Sequence, residues 1–452
     1  MNIIVVGLGK VGRKLAERLS LEKEHSITVI DLKQPTVADV VNSYDVMGIT
    51  GSGTNMEVLE EAGIASADIL IAVTRSDELN LLTCFLARKL GCSNTIARVR
   101  NPEYKNEIQL FREDLGLAMI INPELIAARE MARLLRFPSA VQIDTFAKGR
   151  VEILKFKISE TSPLCNLKLM EISQKLGCNI LVCGVERGEK AFIPGGDFEL
   201  MAGDYVSIVG TVHDATQFFK KIGLKTGKVK NTMIVGGGET AVYLADRLLK
   251  AGIEVSLIEQ NLSRCDELCA ILPKATIING DGTENRLLIE EGIDSCESFV
   301  ALTNLDEENV MLSLYAKTRT DGKIITKISR TAYDEVISNL GLDTIIYPKD
   351  ITAEYILRFV RAKNNSIGSN IETMHEILDG KAEALEFHIL ENAPVANQTL
   401  ETLDLKPEVL IACINRQGNI ITPRGKDMLL PGDTVIVVTS HKGFTDIADI
   451  LR

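Results

Sequence analysis

The sequence predicts an α/β protein with two doubly wound parallel-sheet domains, each followed by a small strand-rich α+β domain. Three observations predict it. Short continuous apolar runs alternate with helical stretches, the pattern of a parallel sheet covered on both faces. The chain opens on a strand that feeds a Gly-x-Gly-x-x-Gly turn, Gly7-Leu8-Gly9-Lys10-Val11-Gly12. The arrangement is then written a second time, displaced by 229 residues from Gly7 to Gly236. That repetition marks a tandem duplication.

Ile3-Ile4-Val5-Val6 is apolar and β-branched and reads as a buried strand. Gly7 permits the tight turn, and Gly9 lets a pyrophosphate approach the backbone. Gly12 lets a helix from about 11 to 21 pack closely on the strand. The tip of that helix offers N–H groups and a positive dipole end to phosphates. A second strand, Ile27-Thr28-Val29-Ile30-Asp31, ends in an acid. A carboxylate there accepts hydrogen bonds from both ribose hydroxyls and repels a 2′-phosphate, which favours NAD or an adenine nucleotide over NADP. Strands near 46–49, 69–73, 95–99 and 118–121 follow. Helices near 36–42, 55–62, 76–90, 103–113 and 124–136 complete a Rossmann-like module.

The second copy repeats each signature at nearly the same offset. Ile234-Val235-Gly236-Gly237-Gly238-Glu239-Thr240-Ala241 answers the opening turn, and Val255-Ser256-Leu257-Ile258-Glu259 answers the second strand. Gly51-Ser52-Gly53-Thr54 returns as Gly280-Asp281-Gly282-Thr283. Ile71-Ala72-Val73-Thr74, with Asp77 and Asn80 beyond it, returns as Val300-Ala301-Leu302-Thr303 with Asp306 and Asn309. Strands are expected near 232–235, 254–258, 275–278, 298–302, 324–328 and 343–346.

Each module ends in an unusually apolar helix. The first starts at Pro123 and carries Ile126, Met131, Leu134, Leu135 and Phe137; the second follows Pro348 and carries Ile351, Ile356, Leu357, Phe359 and Val360. Such a helix packs either on its own sheet or across onto a neighbouring module. The extent of apolar surface favours the crossing.

The segments between the copies are duplicated too. Residues 149–158 match 380–389, and 200–209 match 429–438 around the pairs Gly203-Asp204 and Gly432-Asp433. Alternating apolar positions and Gly-Asp turns make these small strand-rich modules. The expected domains are 1–138, 140–223, 230–363 and 370–452, with linkers near 223–231 and 363–368.

A chain of 452 residues suggests two to four domains. It is 45% hydrophobic and 25% charged, a globular composition with no apolar run long enough to span a membrane. No signal-peptide pattern precedes the first strand, so the expected compartment is the cytosol. A net charge of −12 argues against nucleic-acid binding and against an anionic membrane surface. Any membrane contact is expected through another protein. The nine cysteines (84, 92, 165, 178, 183, 265, 269, 296, 413) include no C-x-x-C pair and read as reduced, mostly buried thiols. The five histidines suggest neither a metal site nor a nucleophile.

In a doubly wound sheet the ligand lies beyond the carboxyl ends of the strands. In the first copy those loops hold Gly7, Leu8, Gly9, Lys10, Val11, Gly12, Asp31, Leu32, Gly53, Thr54, Val73, Thr74 and Arg98. In the second they hold Gly236, Gly237, Gly238, Glu239, Thr240, Ala241, Glu259, Gly282, Thr283, Leu302 and Thr303. Arg98 ends the fifth strand, as a phosphate partner or in a surface ion pair. The second copy departs at Glu239 for Lys10, Ala241 for Gly12, Asp281 for Ser52 and Lys327 for Arg98. No acid/base cluster accompanies either turn, which counts against an NAD-dependent dehydrogenase and favours sensing, where bound ligand shifts a conformational equilibrium.

The chain resembles the TrkA family, the cytosolic regulatory subunits of Trk potassium uptake systems, built from tandem RCK (KTN) and TrkA-C domains. The resemblance rests on Gly7 to Gly12 with Asp31, on Ile96-Ala97-Arg98-Val99-Arg100-Asn101-Pro102-Glu103-Tyr104, and on the twin Gly-Asp hairpins. It implies NAD(H) or ATP/ADP at the N-terminal modules and a homo-oligomeric ring. It also implies a membrane-embedded potassium-transporting partner, gated from the cytoplasmic side without catalysis.

Overall fold

The computed structural model describes residues 1–22, 25–101, 104, 112, 114–330, 336–337, 340–342, 344–365, 371–378 and 380–452. The helix expected near 103–113 and the end of the linker expected at 363–368 lie outside the described residues. The chain divides into two bodies: Met1–Arg129, Lys327–Thr331 and Ile346–Val360 form one, and the remainder forms the other.

In the first body six strands run parallel: β1 (Asn2–Val6), β2 (Ser26–Asp31), β3 (Met47–Thr50), β4 (Ile69–Ala72), β5 (Asn94–Arg98) and β6 (Met119–Ile121). Their order is β3-β2-β1-β4-β5-β6, so strand order reverses between β1 and β4. The crevice above that reversal is where such sheets bind ligands. Helices α1 (Lys10–Ser20), α2 (Gln34–Ser43), α3 (Met56–Glu61) and α4 (Asp77–Lys89) follow the first four strands, and α5 (Pro123–Arg136) follows β6. Val11, Leu15, Ala16 and Leu19 give α1 one buried stripe. The Ser76 hydroxyl caps α4 at the Leu79 N–H (3.2 Å), with Asp77 and Glu78 in its first turn and Arg88 and Lys89 in its last. Both charge placements suit the helix dipole.

The second body begins within α5 and carries an antiparallel sheet: β7 (Gln142–Phe146), β8 (Val151–Lys157), β9 (Leu181–Arg187), β10 (Lys190–Phe192) and β11 (Tyr205–Gly210), ordered β10-β9-β11-β8-β7. Helices α6 (Leu169–Leu176) and α7 (Val212–Lys221) belong to it. The second parallel sheet comprises β12 (Asn231–Val235), β13 (Glu254–Glu259), β14 (Thr276–Asn279), β15 (Ser298–Ala301), β16 (Lys323–Lys327) and β17 (Ile345–Ile346). Its order, β14-β13-β12-β15-β16-β17, repeats the first. Its helices are α8 (Glu239–Lys250), α9 (Leu262–Ile271), α10 (Asn285–Glu290), α11 (Asp306–Arg319) and α12 (Pro348–Asn365). The second small sheet is β18 (Ile371–Ile377), β19 (Ala382–His388), β20 (Val409–Arg416), β21 (Asn419–Ile421) and β22 (Thr434–Thr439), ordered β18-β19-β22-β20-β21.

Both expected Gly-Asp turns serve the same purpose. Asp204 is 1% exposed and takes both oxygens of its carboxylate to the Arg187 guanidinium (2.8 and 2.8 Å). Asp433 does the same with Arg416 (2.9 and 2.8 Å). A forked, buried pair of this kind is strong and directional.

The apolar helix α12 crosses over. Ala353, Ile356, Leu357 and Val360 are buried in one cluster with Ile3, Val5, Leu15, Val29 and Ile71 of the first module. The Lys14 ammonium stands 3.7 Å from Asp350 beside it. The two small sheets also share a core, in which Phe146, Val151, Ile153 and Cys183 pack with Ile377, Leu378, Ala384 and Cys413. Among the described residues no helix is long and apolar enough to cross a membrane.

Candidate nucleotide sites

At the first crevice, Gly7 holds φ +95°, a backbone conformation open to glycine, and its N–H donates to the Ile30 carbonyl (2.8 Å). A Cβ on Gly7 would fall 2.8 Å from the Thr74 backbone, and one on Gly12 would fall 1.9 Å from the Gly7 oxygen. The turn thus admits side chains at neither position. Gly9, in contrast, has nothing within 4 Å of where its Cβ would stand, and no side chain caps α1 there. The helix tip presents bare backbone to the crevice. Lys10 is the first residue of α1.

Asp31 closes the other side. One carboxylate oxygen accepts from the Leu8 N–H (2.7 Å) and the other from the Lys33 N–H (3.0 Å). Each oxygen keeps a second lone pair for a ribose hydroxyl. Leu32 is exposed, whereas the Val11 and Val73 side chains are buried, so those two can offer only backbone. Gly53 is held close to Val6, whose Cγ1 would stand 2.4 Å from a Cβ there. The Thr54 hydroxyl shares a hydrogen bond with Ser52 Oγ (2.8 Å).

The sequence reading undervalued Asn80. Its side chain is fully buried, accepts from the Thr74 N–H (2.8 Å) and hydroxyl (2.7 Å), and donates to the Arg98 carbonyl (2.9 Å). It therefore ties β5 to the loop that lies against Gly7, and it commits the Thr74 hydroxyl inward. Asp77 accepts from the Arg100 and Asn101 N–H groups (2.7 and 2.8 Å). The repeated Asp-x-x-Asn spacing was the available signal.

Arg98 is the most telling side chain. Its Nε and one Nη are buried with no hydrogen-bond partner among the described residues. Burial pushes its guanidinium down to about 10, and the nearby positive charges of Arg100 and Arg75 act in the same direction, against Glu124 and Asp77. Leaving buried guanidinium N–H groups without an acceptor is costly. An anion offered to those N–H groups would relieve that cost. An uncapped helix tip, a clamped acid and guanidinium N–H groups without a hydrogen bond among the described residues are groups that can receive an anionic, hydroxyl-bearing ligand.

The second crevice repeats the frame with different charges. Gly236 holds φ +102°, and Glu259 accepts from the Gly237 and Asn261 N–H groups (2.8 and 2.8 Å). Gly238 is open, and no side chain caps α8 there. Thr240, Ala241 and Leu302 are buried. A Cβ on Gly282 would stand 2.3 Å from Val235 Cγ1. The Thr283 N–H and hydroxyl both donate to Asp281 Oδ1 (2.9 and 2.7 Å), and the Thr303 N–H donates to Asn309 (2.8 Å). Glu239 does not stand alone. Arg264 of α9 pairs with it (2.9 Å) and donates from Nε to the Gly237 carbonyl (2.9 Å), lying across the glycine turn. Thr36 occupies the matching position in the first copy, so duplication gave no hint of this arginine. Among the described residues no group of three or more His, Cys, Asp or Glu is placed to hold a metal ion.

Comparison with known proteins agrees with this architecture. The TrkA-N domain model matches residues 3–123 and 232–348, and the TrkA-C domain model matches 153–223 and 384–452. A Trk system potassium uptake protein TrkA homolog of Archaeoglobus fulgidus is 31% identical over 452 residues, covering 100% of both chains. The Trk system potassium uptake protein TrkA of Halomonas elongata is 31% identical over 97% of this chain and 93% of its own. Among solved structures, the GsuK RCK domain superposes with a TM-score of 0.62 at 19% identity, covering 97% of this chain and 92% of that one. The GsuK channel bound to NAD also gives 0.62 at 19% identity, covering 97% and 76%. Matched in both halves and along its full length, this chain belongs to the TrkA family of Trk potassium uptake proteins.

Proposed function

We propose that the chain binds NAD(H), ATP or ADP above β1 and β12, and that occupancy sets ion flow through a membrane-embedded potassium-transporting partner without consuming the nucleotide. The observation that carries this reading is the uncapped tip of α1 with Asp31 clamped beside it, and at the end of β5 the half-buried Arg98, whose Nε and one Nη have no hydrogen-bond partner among the described residues. Backbone N–H groups at Gly9 and the start of α1 hold a pyrophosphate; Asp31, itself fixed by the Leu8 N–H, holds a ribose; Arg98 takes phosphate oxygens. GsuK structures of this fold, one bound to NAD and one bound to ADP, support both ligand classes. The curated relatives' names support the transport partner. A homo-oligomeric ring at the cytoplasmic face completes the proposal.

Calorimetry of the full chain with NADH, ATP and ADP tests the binding, and absence of heat with all three overturns it. Rubidium uptake by vesicles holding the membrane partner, with chain and with or without nucleotide, tests the regulation. Uptake indifferent to nucleotide overturns that part. Steady NADH oxidation by the purified chain overturns the non-enzymatic part.

A further inference from the structure

Equivalent residues of the two small sheets share one core, Phe146 with Ile377, Ile153 with Ala384 and Val209 with Val438, the arrangement of a pseudo-twofold axis. Register establishes which residues are mates. Asp144 lies opposite Ile153 in the β7–β8 pair, and His375 lies opposite Ala384 in the β18–β19 pair. Residues 153 and 384 are equivalent in the repeat, so Asp144 and His375 are mates. These mates touch each other: His375 Nδ1 stands 2.9 Å from Asp144 Oδ1, and its Nε2 stands 3.2 Å from the Thr145 carbonyl. Both side chains are largely buried, and the imidazole packs on the Phe146 ring at 4.6 Å between centroids.

A self-contact at an axis exposes the difference between unlike and like pairing. Had two first-copy modules paired, Asp144, whose Oδ2 accepts from Gln142 of its own strand (2.7 Å), would face another Asp144 and a carbonyl, with no donor across the axis. The neighbouring positions carry the same asymmetry. The Ala147 N–H donates to Glu386 (2.9 Å), whose mate is Lys155, itself a donor and paired with Glu186 (2.7 Å). Leu378, the mate of Ala147, presses its Cδ2 to within 2.6 Å of where a Cβ on Gly184 would lie. The mate of Gly184 is Cys413, set by the same bulge in β9 and β20. Two first-copy modules would set Ala147 against Gly184 and leave a void. Two second-copy modules would drive Leu378 into Cys413.

We propose that the Asp144–His375 contact, backed by Leu378 on Gly184 and Glu386 on the Ala147 N–H, selects pairing between unlike small modules and rejects pairing between like ones. The partner this surface fits is the other copy of the duplication, and the axis residues are its specificity determinants. Donor–acceptor complementarity across a desolvated contact discriminates far more strongly than it stabilises, because the wrong pairing leaves a buried polar group without a partner.

The test uses full-length chains. Asp144→His and His375→Asp each place like residues at the axis, and each is expected to lower the melting temperature by about 5 °C. The double swap D144H/H375D restores it to within about 2 °C. To separate partner choice from stability, a chain carrying H375D and Asn179→Cys is co-expressed with one carrying D144H and Thr422→Cys, both with Cys165 and Cys269 replaced by Ser. Asn179 and Thr422 lie across the same contact, 3.4 Å apart from carbonyl to hydroxyl. A short bis-maleimide is expected to link the two chains about tenfold more than it links chains with native axis residues. Equal linkage, single variants that melt with the parent, or a swap that fails to recover would each overturn the proposal.

Discussion

The two nucleotide crevices share a backbone and differ in what they can welcome. Asp31 and Glu259 clamp equivalent turns through the same pair of N–H groups. Around them the first crevice places Lys10, Ser52 and Leu79 where the second places Glu239, Asp281 and Glu308. Burial, and then the charge of Asp281, pushes the Glu308 carboxyl above the usual carboxylate range, while the Thr283 N–H holds Asp281 below it. Glycine also parts company with alanine: a methyl at 12 would strike the Gly7 carbonyl, yet Ala241 carries one and is fully buried. The second turn must therefore stand farther from its helix. Duplication preserved the clamp because hydrogen-bond geometry demands it, and left charge free to diverge. The second crevice carries three acids where the first carries none at the same positions, Glu239 being paired with Arg264.

The largest expected break in that comparison is Gly12→Ala. The methyl has no room, so ATP affinity at the first crevice should fall about 100-fold by calorimetry, since overpacking costs about 1–3 kcal/mol and displaces the helix tip. Ala241→Gly should leave the second crevice's affinity within a few-fold and cost about 1 kcal/mol of stability in chemical denaturation. Equal losses at both positions would mean that the turns are not different. Next comes Arg98→Gln, expected to weaken ATP and ADP at the first crevice about 30-fold, because charged hydrogen bonds are worth about 1.5–3 kcal/mol. An unchanged affinity would leave Arg98 outside the site.

Asp31→Ala is expected to weaken NADH binding about tenfold and to lower the melting temperature, since two N–H groups lose their acceptor. A binding loss without a stability loss would assign Asp31 to ligand alone. The smallest effects sharpen the second crevice. Glu239→Lys should raise its ADP affinity about threefold by removing repulsion. Affinity there should also rise as pH falls through the raised Glu308 value, because protonation deletes a negative charge beside incoming phosphates. In Glu308→Gln that pH dependence should vanish.

Much of the fold was legible because it is locally encoded. The parallel strands announce themselves as apolar runs, and the glycine turn with Asp31 identifies the crevice without any tertiary knowledge. Repetition then lent each weak signal a second witness. The crossing of α12 was readable too, since Ile356, Leu357 and Val360 are too apolar to face water. What escaped was either unpaired or remote. Arg264 has Thr36 as its counterpart, so no repeat could flag it. Asn80 lies in the first turn of α4, and nothing local marks it as the residue whose amide bridges Thr74 and Arg98. His375 meets a partner 231 residues away, and nothing local to an isolated histidine distinguishes a buried bridge from a surface ring.

The seating of α12 in the first module's core has a further consequence. The ancestral gene doubling cannot now be undone by trimming, because removing the later half strips Ala353, Ile356, Leu357 and Val360 from beneath Ile3 and Val5. A truncated first half would expose a greasy trough and clump. The first module's core is completed by a helix that the second half supplies, so the two halves are inherited as one unit.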